Sequence, residues 1–457
     1  MYSSMYKRNL PFQSLFIVLI LCVLFTSCKR DKDGDDVLDE NDKCDTVYAK
    51  TEDGCPCEKE EKLGKINIFL DNSASNNGYY KSTLYGKNLS ELLNLSNDSL
   101  GNPYVFTIDD NGILPKGNGQ EYCLTFMEQL GSIVPFAEGE SSTLYTMLKS
   151  IVDKTDSNDI SIFVTDCILS NKPDALKGNP DKNKLDAQNC LYTTYIRTAF
   201  PKYKEIGTSF YAFKSDFKGK YYDYTNKGWG NKNTLLNNRP YYFIVLSKNK
   251  KILKEYNYKI ENSVLKTEIL EKFHFGDFDN INKKATILFS LNSSGNFEPD
   301  ENLKGINNIE DLDDGPVKVY IGVENLNENE IDFSDTSLLI LKSVNRTKFN
   351  AKFVKYDDLK SFQPKLTKQD NLIFNKCNYF IEVEILESNT DKDILSIKIP
   401  FKYKKWEEKW SIDDDLNAKN IEDHTFGLRC FIDAYKQAFP EKGKNIIDIN
   451  IPITINN

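Results

Sequence analysis

Asp71, Ser73 and Ser75 alternate with Asn72 and Ala74 at the end of the apolar run Ile66-Asn67-Ile68-Phe69-Leu70. Carboxylate and hydroxyl oxygens crowded after a buried strand suit a hard divalent cation such as Mg2+. In an open α/β sheet the carboxyl ends of the strands are also where ligands bind. The plainer reading is a polar turn whose side chains cap the next helix. A second set of oxygen donors lies upstream. Asp31, Asp33, Asp35, Asp39 and Asp42 fill the first, third, fifth, ninth and twelfth places of a loop, and the Val37 carbonyl fills the seventh. That spacing can wrap one Ca2+; the plainer reading is a solvated acidic linker.

Other chemistries find less support. The chain has two histidines, His274 and His424, far apart in sequence, so zinc sites and Ser-His-Asp catalysis are poorly provided for. A net charge of −9 argues against nucleic acid as a partner, because phosphate binding needs basic patches.

The N-terminus reads as an export signal. Lys7 and Arg8 precede an apolar run from Leu15 to Phe25, and Thr26-Ser27-Cys28 follows. A charged region, a short apolar core and small residues before a cut describe such a signal. It resembles a bacterial lipoprotein signal, which implies Cys28 as the lipidated first residue of the mature chain, and more than one acyl chain makes such an anchor stable. Outer-membrane attachment, on the periplasmic or surface face, is the expectation. Of ten cysteines, eight remain once Cys22 and Cys28 are set aside. An even number in an exported chain is consistent with disulfides. The local pairs to test are Cys44–Cys55, Cys167–Cys190 and Cys377–Cys430, chosen from position alone.

The elements that would position these groups follow from the hydrophobic pattern. A mature chain of about 430 residues is long enough for two or three domains. Strands are predicted at Ile66–Leu70, Tyr104–Ile108, Ile160–Thr165, Ser209–Phe213 and Tyr241–Leu246, alternating with helices, which argues for a mostly parallel, doubly wound sheet. Leu144, Met147, Leu148, Ile151 and Val152 have helical spacing, and a second such helix is predicted from Leu191 to Phe200. The aromatic stretch Phe217–Tyr224 reads as a hairpin extension with an aromatic face on the core. Beyond about residue 265 short alternating strands take over: Ala285–Leu291, Val317–Val323, Leu338–Leu341, Tyr379–Ile385, Ile394–Ile399 and Ile446–Ile453. They predict an all-β, sandwich-like part, interrupted by one helix whose face carries Leu428, Phe431, Ile432, Tyr435 and Phe439. The expected organisation is a signal over 1–27, an acidic stalk over 28–62, an α/β domain over 63–262 and a β-rich part over 263–457.

Two family resemblances sharpen this reading. The stalk loop, with the later Gly54-Cys55-Pro56, resembles a thrombospondin type 3 repeat, which binds Ca2+. Asp36 stands where such repeats usually have Gly, and Asp45 where Pro usually follows the Cys. Asp71-Asn72-Ser73-Ala74-Ser75 matches the D-x-S-x-S motif of von Willebrand factor A domains. Thr143, opening a helix in Ser141-Ser142-Thr143-Leu144, and Asp166, ending Ile162-Phe163-Val164-Thr165, match that family's other two elements. The resemblance implies a metal-ion-dependent adhesion site in which Asp71, Ser73, Ser75, Thr143 and Asp166 hold Mg2+ or Mn2+, partly through waters. One coordination position then stays open for a carboxylate of a protein partner. Cys167 stands where the family commonly has Gly.

The function expected is therefore metal-dependent protein binding by an envelope-anchored lipoprotein, and not catalysis. Two alternatives stay open. One is a phosphatase of the haloacid dehalogenase type with Asp71 as nucleophile, although Ser73 replaces the second Asp that such enzymes use as acid/base. The other is a scaffold lipoprotein with an inactive metal site.

Overall fold

Ile66–Asp71 is buried at all six positions, as expected of a strand covered on both faces. In this computed structural model the described residues are 62–100, 103–119, 125, 128, 139, 143–168, 170–171, 176–179, 181–188, 206–225, 228–229, 234–276, 283–310, 312–324, 338–416, 421–439 and 445–456. Cys28, the whole calcium-loop stretch Asp31–Asp42, Cys44, Cys55, Cys190 and the helix expected from Leu191 lie outside them.

A seven-stranded mixed sheet carries the α/β part, in the order β3-β2-β1-β4-β8-β5-β9. Its strands are β1 (Ile66–Asp71), β2 (Tyr104–Asp109), β3 (Gly112–Asn118), β4 (Ile160–Thr165), β5 (Gly207–Lys218), β8 (Leu235–Ser247) and β9 (Glu271–Phe275). The predicted strands are all present, but the sheet is not mostly parallel. β1 pairs in parallel with β2 and β4, whereas β2–β3, β4–β8, β5–β8 and β5–β9 are antiparallel. The cause is local. β5 returns through a hairpin extension that carries β6 (Tyr221–Tyr222) and β7 (Gly228–Trp229), so β8 enters beside β4 from the opposite direction. Antiparallel neighbours need only such a hairpin; parallel ones need a long crossover.

Helices cover both faces. On one face Ile68, Leu70, Val164 and Phe243 pack with Leu89 and Leu92 of the Thr83–Leu100 helix and with Ile252 and Tyr256 of the Lys250–Asn262 helix. Asn249 starts the latter helix, its side chain accepting from the Lys251 and Ile252 N–H groups, as an N-cap should. On the other face Phe69, Phe163 and Ile244 pack with the Leu144–Lys154 helix. All five apolar positions predicted for that helix are buried, each contributing on the order of 1.5–3 kcal/mol.

The C-terminal half is a pair of stacked sheets. One is β10 (Ala285–Leu288), β13 (Val317–Glu324), β16 (Cys377–Glu387) and β15 (Lys348–Lys355), in that order. The other is β11 (Asn296–Pro299), β12 (Ile306–Glu310), β20 (Asn445–Ile455), β17 (Lys392–Pro400) and β14 (Ile340–Ser343). Val319, Ile321, Ile381 and Val383 of the first sheet meet Leu395, Ile397, Ile451 and Ile453 of the second in one core, the arrangement of a β-sandwich.

The two halves interleave in sequence. β9 joins the α/β sheet although it lies beyond residue 262. Between β17 and β20 the chain leaves the sandwich, forms the Trp406–Trp410 helix, β18 (Ser411–Ile412), β19 (Thr425–Phe426) and the Leu428–Ala438 helix, and packs Trp406, Phe426, Phe431, Ile432 and Tyr435 onto the α/β sheet. The helix face predicted from Leu428 to Tyr435 is thus part of the α/β layer. Among the described residues no helix is long and apolar enough to cross a membrane.

Candidate metal centre

The parallel pairing of β1 with β2 and β4 brings three carboxyl ends to one edge of the sheet. Asp71 closes β1 opposite Ile108 of β2, Asp109 ends β2 with Asp110 next in the chain, and Asp166 directly follows Thr165, the last residue of β4. The Asn72 N–H donates to the Ile108 carbonyl at 2.8 Å, which keeps the motif loop against this edge.

Within the loop the oxygens converge. Asp71 Oδ1 accepts from the Ser73 N–H at 2.9 Å, an Asx-type turn that bends the chain after the strand. Asp71 Oδ2 accepts from Thr165 Oγ1 at 2.7 Å. The Ser73 and Ser75 hydroxyls lie 3.0 Å apart, and Asn76 Nδ2 donates to Ser73 Oγ at 3.0 Å. Asp166 Oδ1 accepts from the Ile168 N–H at 3.1 Å, while Asp166 Oδ2 is buried with no hydrogen-bond partner. Asp71 and Asp166 are each only 1% exposed and Ser73 3%. Four of the five predicted residues, Asp71, Ser73, Ser75 and Asp166, therefore share one enclosed cluster.

Two carboxylates in one enclosed place resist ionisation. Burial raises the pKa of Asp71 above the ordinary value, against hydrogen bonds from Thr165, Ser73 and Asn76 that favour its charge. Burial, and then the Asp71 charge, push Asp166 up to about 6, while Arg239, the Ile168 N–H and Ser75 pull it down. Desolvation and a like charge raise a carboxyl pKa in the same direction.

Thr143 is placed differently. Its N–H donates to Asp110 Oδ1 and its hydroxyl to Asp110 Oδ2, each at 2.9 Å. The hydroxyl proton is thus committed to a residue the motif reading missed, and only the oxygen lone pairs remain for another role. Asp109 is similarly engaged, accepting from Asn72 Nδ2 at 3.0 Å. Cys167, at the position where Gly is common in the resembling family, has φ 55°. That left-handed backbone is what glycine adopts without penalty, and the bond from the Cys167 N–H to Thr165 Oγ1, 3.0 Å, holds it.

The β5–β8 hairpin walls the cluster. Tyr79 donates to the Pro240 carbonyl at 2.5 Å and meets Phe217 edge-on at 5.2 Å between ring centroids. Phe217, Tyr221 and Tyr224 are buried, so the aromatic stretch is a core-facing extension, as read. Arg239, fully buried, stacks on the Tyr221 ring at 4.8 Å. Its Nη1 donates to the Ile421 and His424 carbonyls at 2.7 and 2.6 Å. Tyr221 donates to Asp415 Oδ2 at 2.5 Å, and burial pushes Asp415 up to about 6. The one sequence signal of this buried arginine is that it is the lone charge in β8.

Two of the cysteine pairings fail. Cys167 and Cys377 are free and buried, Cys377 donating from Sγ to the Ile373 carbonyl at 3.2 Å. Cys430 is disulfide-bonded, though not to Cys377. The reason is architectural: Cys377 opens β16 in the sandwich, whereas Cys430 lies on the helix that covers the α/β sheet.

A second polar constellation lies across the sheet. Ser209 Oγ and His274 Nδ1 are 2.8 Å apart, His274 Nε2 is 3.0 Å from Glu261 Oε1, and Lys272 pairs with Glu261 Oε2. The geometry has the form of a nucleophile–base–acid relay. Ser209, however, is fully buried and also accepts from Asn257 Nδ2 at 2.7 Å, so the group braces edge strand β9 against the Lys250–Asn262 helix. Burial alone would raise Glu261, but His274 and Lys272 outweigh it and hold it down near 2.

Among the described residues no group of three or more His, Cys, Asp and Glu is placed to hold a metal; the cluster at Asp71 offers two carboxylates and hydroxyls instead. No family model, curated protein or solved structure matches this chain.

Proposed function

We propose that the protein is a binding protein, not an enzyme, whose Asp71–Ser73–Ser75–Asp166 cluster takes a divalent cation and through it the carboxylate of a protein partner. The observation that carries this reading is the unpartnered Asp166 Oδ2, buried beside a second carboxylate. A buried, unsatisfied carboxylate oxygen is costly, and Asp71 and Asp166 are both pushed towards protonation although Arg239 lowers the latter, which is where a further cation would be favoured. The donor set, carboxylate and hydroxyl oxygens only, suits Mg2+ or Mn2+ better than softer metals. Asp71 and Asp166 would supply the charge, and Ser73 and Ser75 neutral oxygens already 3.0 Å apart. Thr143 would contribute from behind its bond to Asp110. A bound cation would offer one electrophilic position to a carboxylate.

The resemblance to von Willebrand factor A domains belongs to this proposal, as do the lipid anchor at Cys28, the outer-membrane location and Ca2+ at the acidic stalk. A binding role also accords with Ser73, which leaves no acid/base residue two positions after Asp71. The test is calorimetric titration of Mn2+ into the full chain and into Asp71→Asn. Saturable binding by the former and none by the latter is expected; heat that is unchanged in the variant would remove the cluster from the site.

A further inference from the structure

Arg239 is the second unsatisfied charge of this region. Both Nη1 hydrogens are used on the Ile421 and His424 carbonyls, yet Nε and Nη2 are buried without partners. Asp415, another buried carboxylate that acts on Arg239, has both oxygens occupied, by the Tyr221 hydroxyl and the Tyr224 N–H. Its position follows from strand register. Thr165, the last residue of β4, pairs with Tyr242, so Asp166 leaves the strand near the end of β8 that carries Arg239, and the charges of the two side chains act on each other. Tyr79, bonded to the Pro240 carbonyl, and Tyr221, stacked on the guanidinium, are neighbours of Arg239. An orphaned acceptor on Asp166 and an orphaned donor edge on Arg239 thus lie in one buried region.

We propose that the Nε–Nη2 edge of Arg239 is an anion anchor, receiving a single carboxylate group beside the metal position. This inference rests on the cation-binding reading above, and adds a residue that selects the ligand. The Nε–Nη2 edge presents two parallel N–H groups at the spacing of carboxylate oxygens. A lone ammonium in its place would supply charge without that fork. Because Arg239, Asp71 and Asp166 are all buried, the occupant we propose is small: the tip of an acidic side chain or a free small carboxylate.

Thermal melting of the full chain in saturating Mg2+ tests this, with acetate as the free carboxylate and the blocked peptides acetyl-Gly-Asp-Gly-amide and acetyl-Gly-Asn-Gly-amide as side-chain probes. Either acetate or the Asp peptide should raise the midpoint while the Asn peptide does not, and which of the two acts tells free from side-chain carboxylate. Arg239→Lys should keep the Mg2+ shift and lose the carboxylate shift. An equal carboxylate shift in Arg239→Lys, or none in the native chain despite a Mg2+ shift, overturns the anchor and leaves buried water as the partner of Nε and Nη2. No Mg2+ shift at all sinks the cation reading, and a carboxylate shift that survives without Mg2+ but not in Arg239→Lys still supports the anchor. If Arg239→Lys fails to fold, 15N-arginine spectra of the native chain serve: an exchange-protected Nε–H signal should move on addition of the active carboxylate, and its staying put contradicts the proposal.

Discussion

At the scale of single residues the account turns on Asp166. Its carboxyl titrates near 6 in the folded chain and near its ordinary value when unfolded. Between those values the folded state binds more protons than the unfolded state, so this group makes metal-free stability fall as pH rises through the window. Asp415 acts in the same direction. Melting the metal-free chain from pH 4 to pH 6 should therefore show a declining midpoint contribution that Asp166→Asn reduces and Asp166→Asn with Asp415→Asn reduces further. A steeper decline in the double variant would reverse the assignment. A cation needs the ionised carboxylate, so Mn2+ affinity should weaken about tenfold for each pH unit below about 6 if one proton must leave; affinity flat between pH 5 and pH 7 would contradict that. Cys167 belongs here too. Its left-handed φ of 55° is a backbone that glycine adopts without penalty, so this chain carries a side chain where the turn alone would favour Gly.

Among the elements, the hairpin and the 3-10 segment Ala74–Lys81 pack closely through Gly78 and Phe217. A Cβ on Gly78 would come 2.3 Å from the Phe217 ring, so Gly78→Ala should destabilise the chain by about 1–3 kcal/mol through overpacking and loosen the motif loop, seen as a lower denaturant midpoint. A neutral result would mean that the hairpin yields freely. How legible these elements were depends on what each encodes locally. β1, β2 and β4 announce themselves as apolar runs, and the Leu144–Lys154 helix by its spacing. The Thr83–Leu100 helix was missed, although Tyr85, Leu89, Leu92 and Leu93 carry a helical stripe, because Asn88, Ser90 and Asn94 break up its apolar look. Strand direction was not legible. A strand buried on both faces looks the same whether its neighbour is parallel or antiparallel, so the place of β8 between β4 and β5 could not be read from Tyr241–Leu246. That Asp71, Ser73, Ser75 and Asp166 come together was legible because the motif is contiguous with strand ends, while the placement of Arg239, Asp110 and the Ser209–His274–Glu261 brace depends on pairings distant in sequence.

The whole molecule is less divisible than its sequence pattern suggests. The seven-stranded sheet draws on β9 and on the helix Leu428–Ala438, whose Phe431 and Tyr435 pack edge-on against Phe210. A fragment ending at residue 262 lacks both, and should show no cooperative thermal transition; a sharp transition in that fragment would show the excursion to be dispensable. Phe431→Ala in the full chain should cost about 3–5 kcal/mol, as large-to-small changes in a core do. Peptide mapping without reduction should find Cys430 linked, and Cys167 and Cys377 alkylated only after unfolding. A Cys377–Cys430 peptide would contradict the separation of sandwich and α/β layer.

The most direct measurement is Mn2+ titration of the full chain alongside Asp166→Asn, chosen because the substitution keeps the shape of the side chain and removes only its charge. The account predicts one saturable site in the native protein, weakened at least tenfold in the variant, with both proteins melting cooperatively. Equal Mn2+ binding by the two proteins would contradict it.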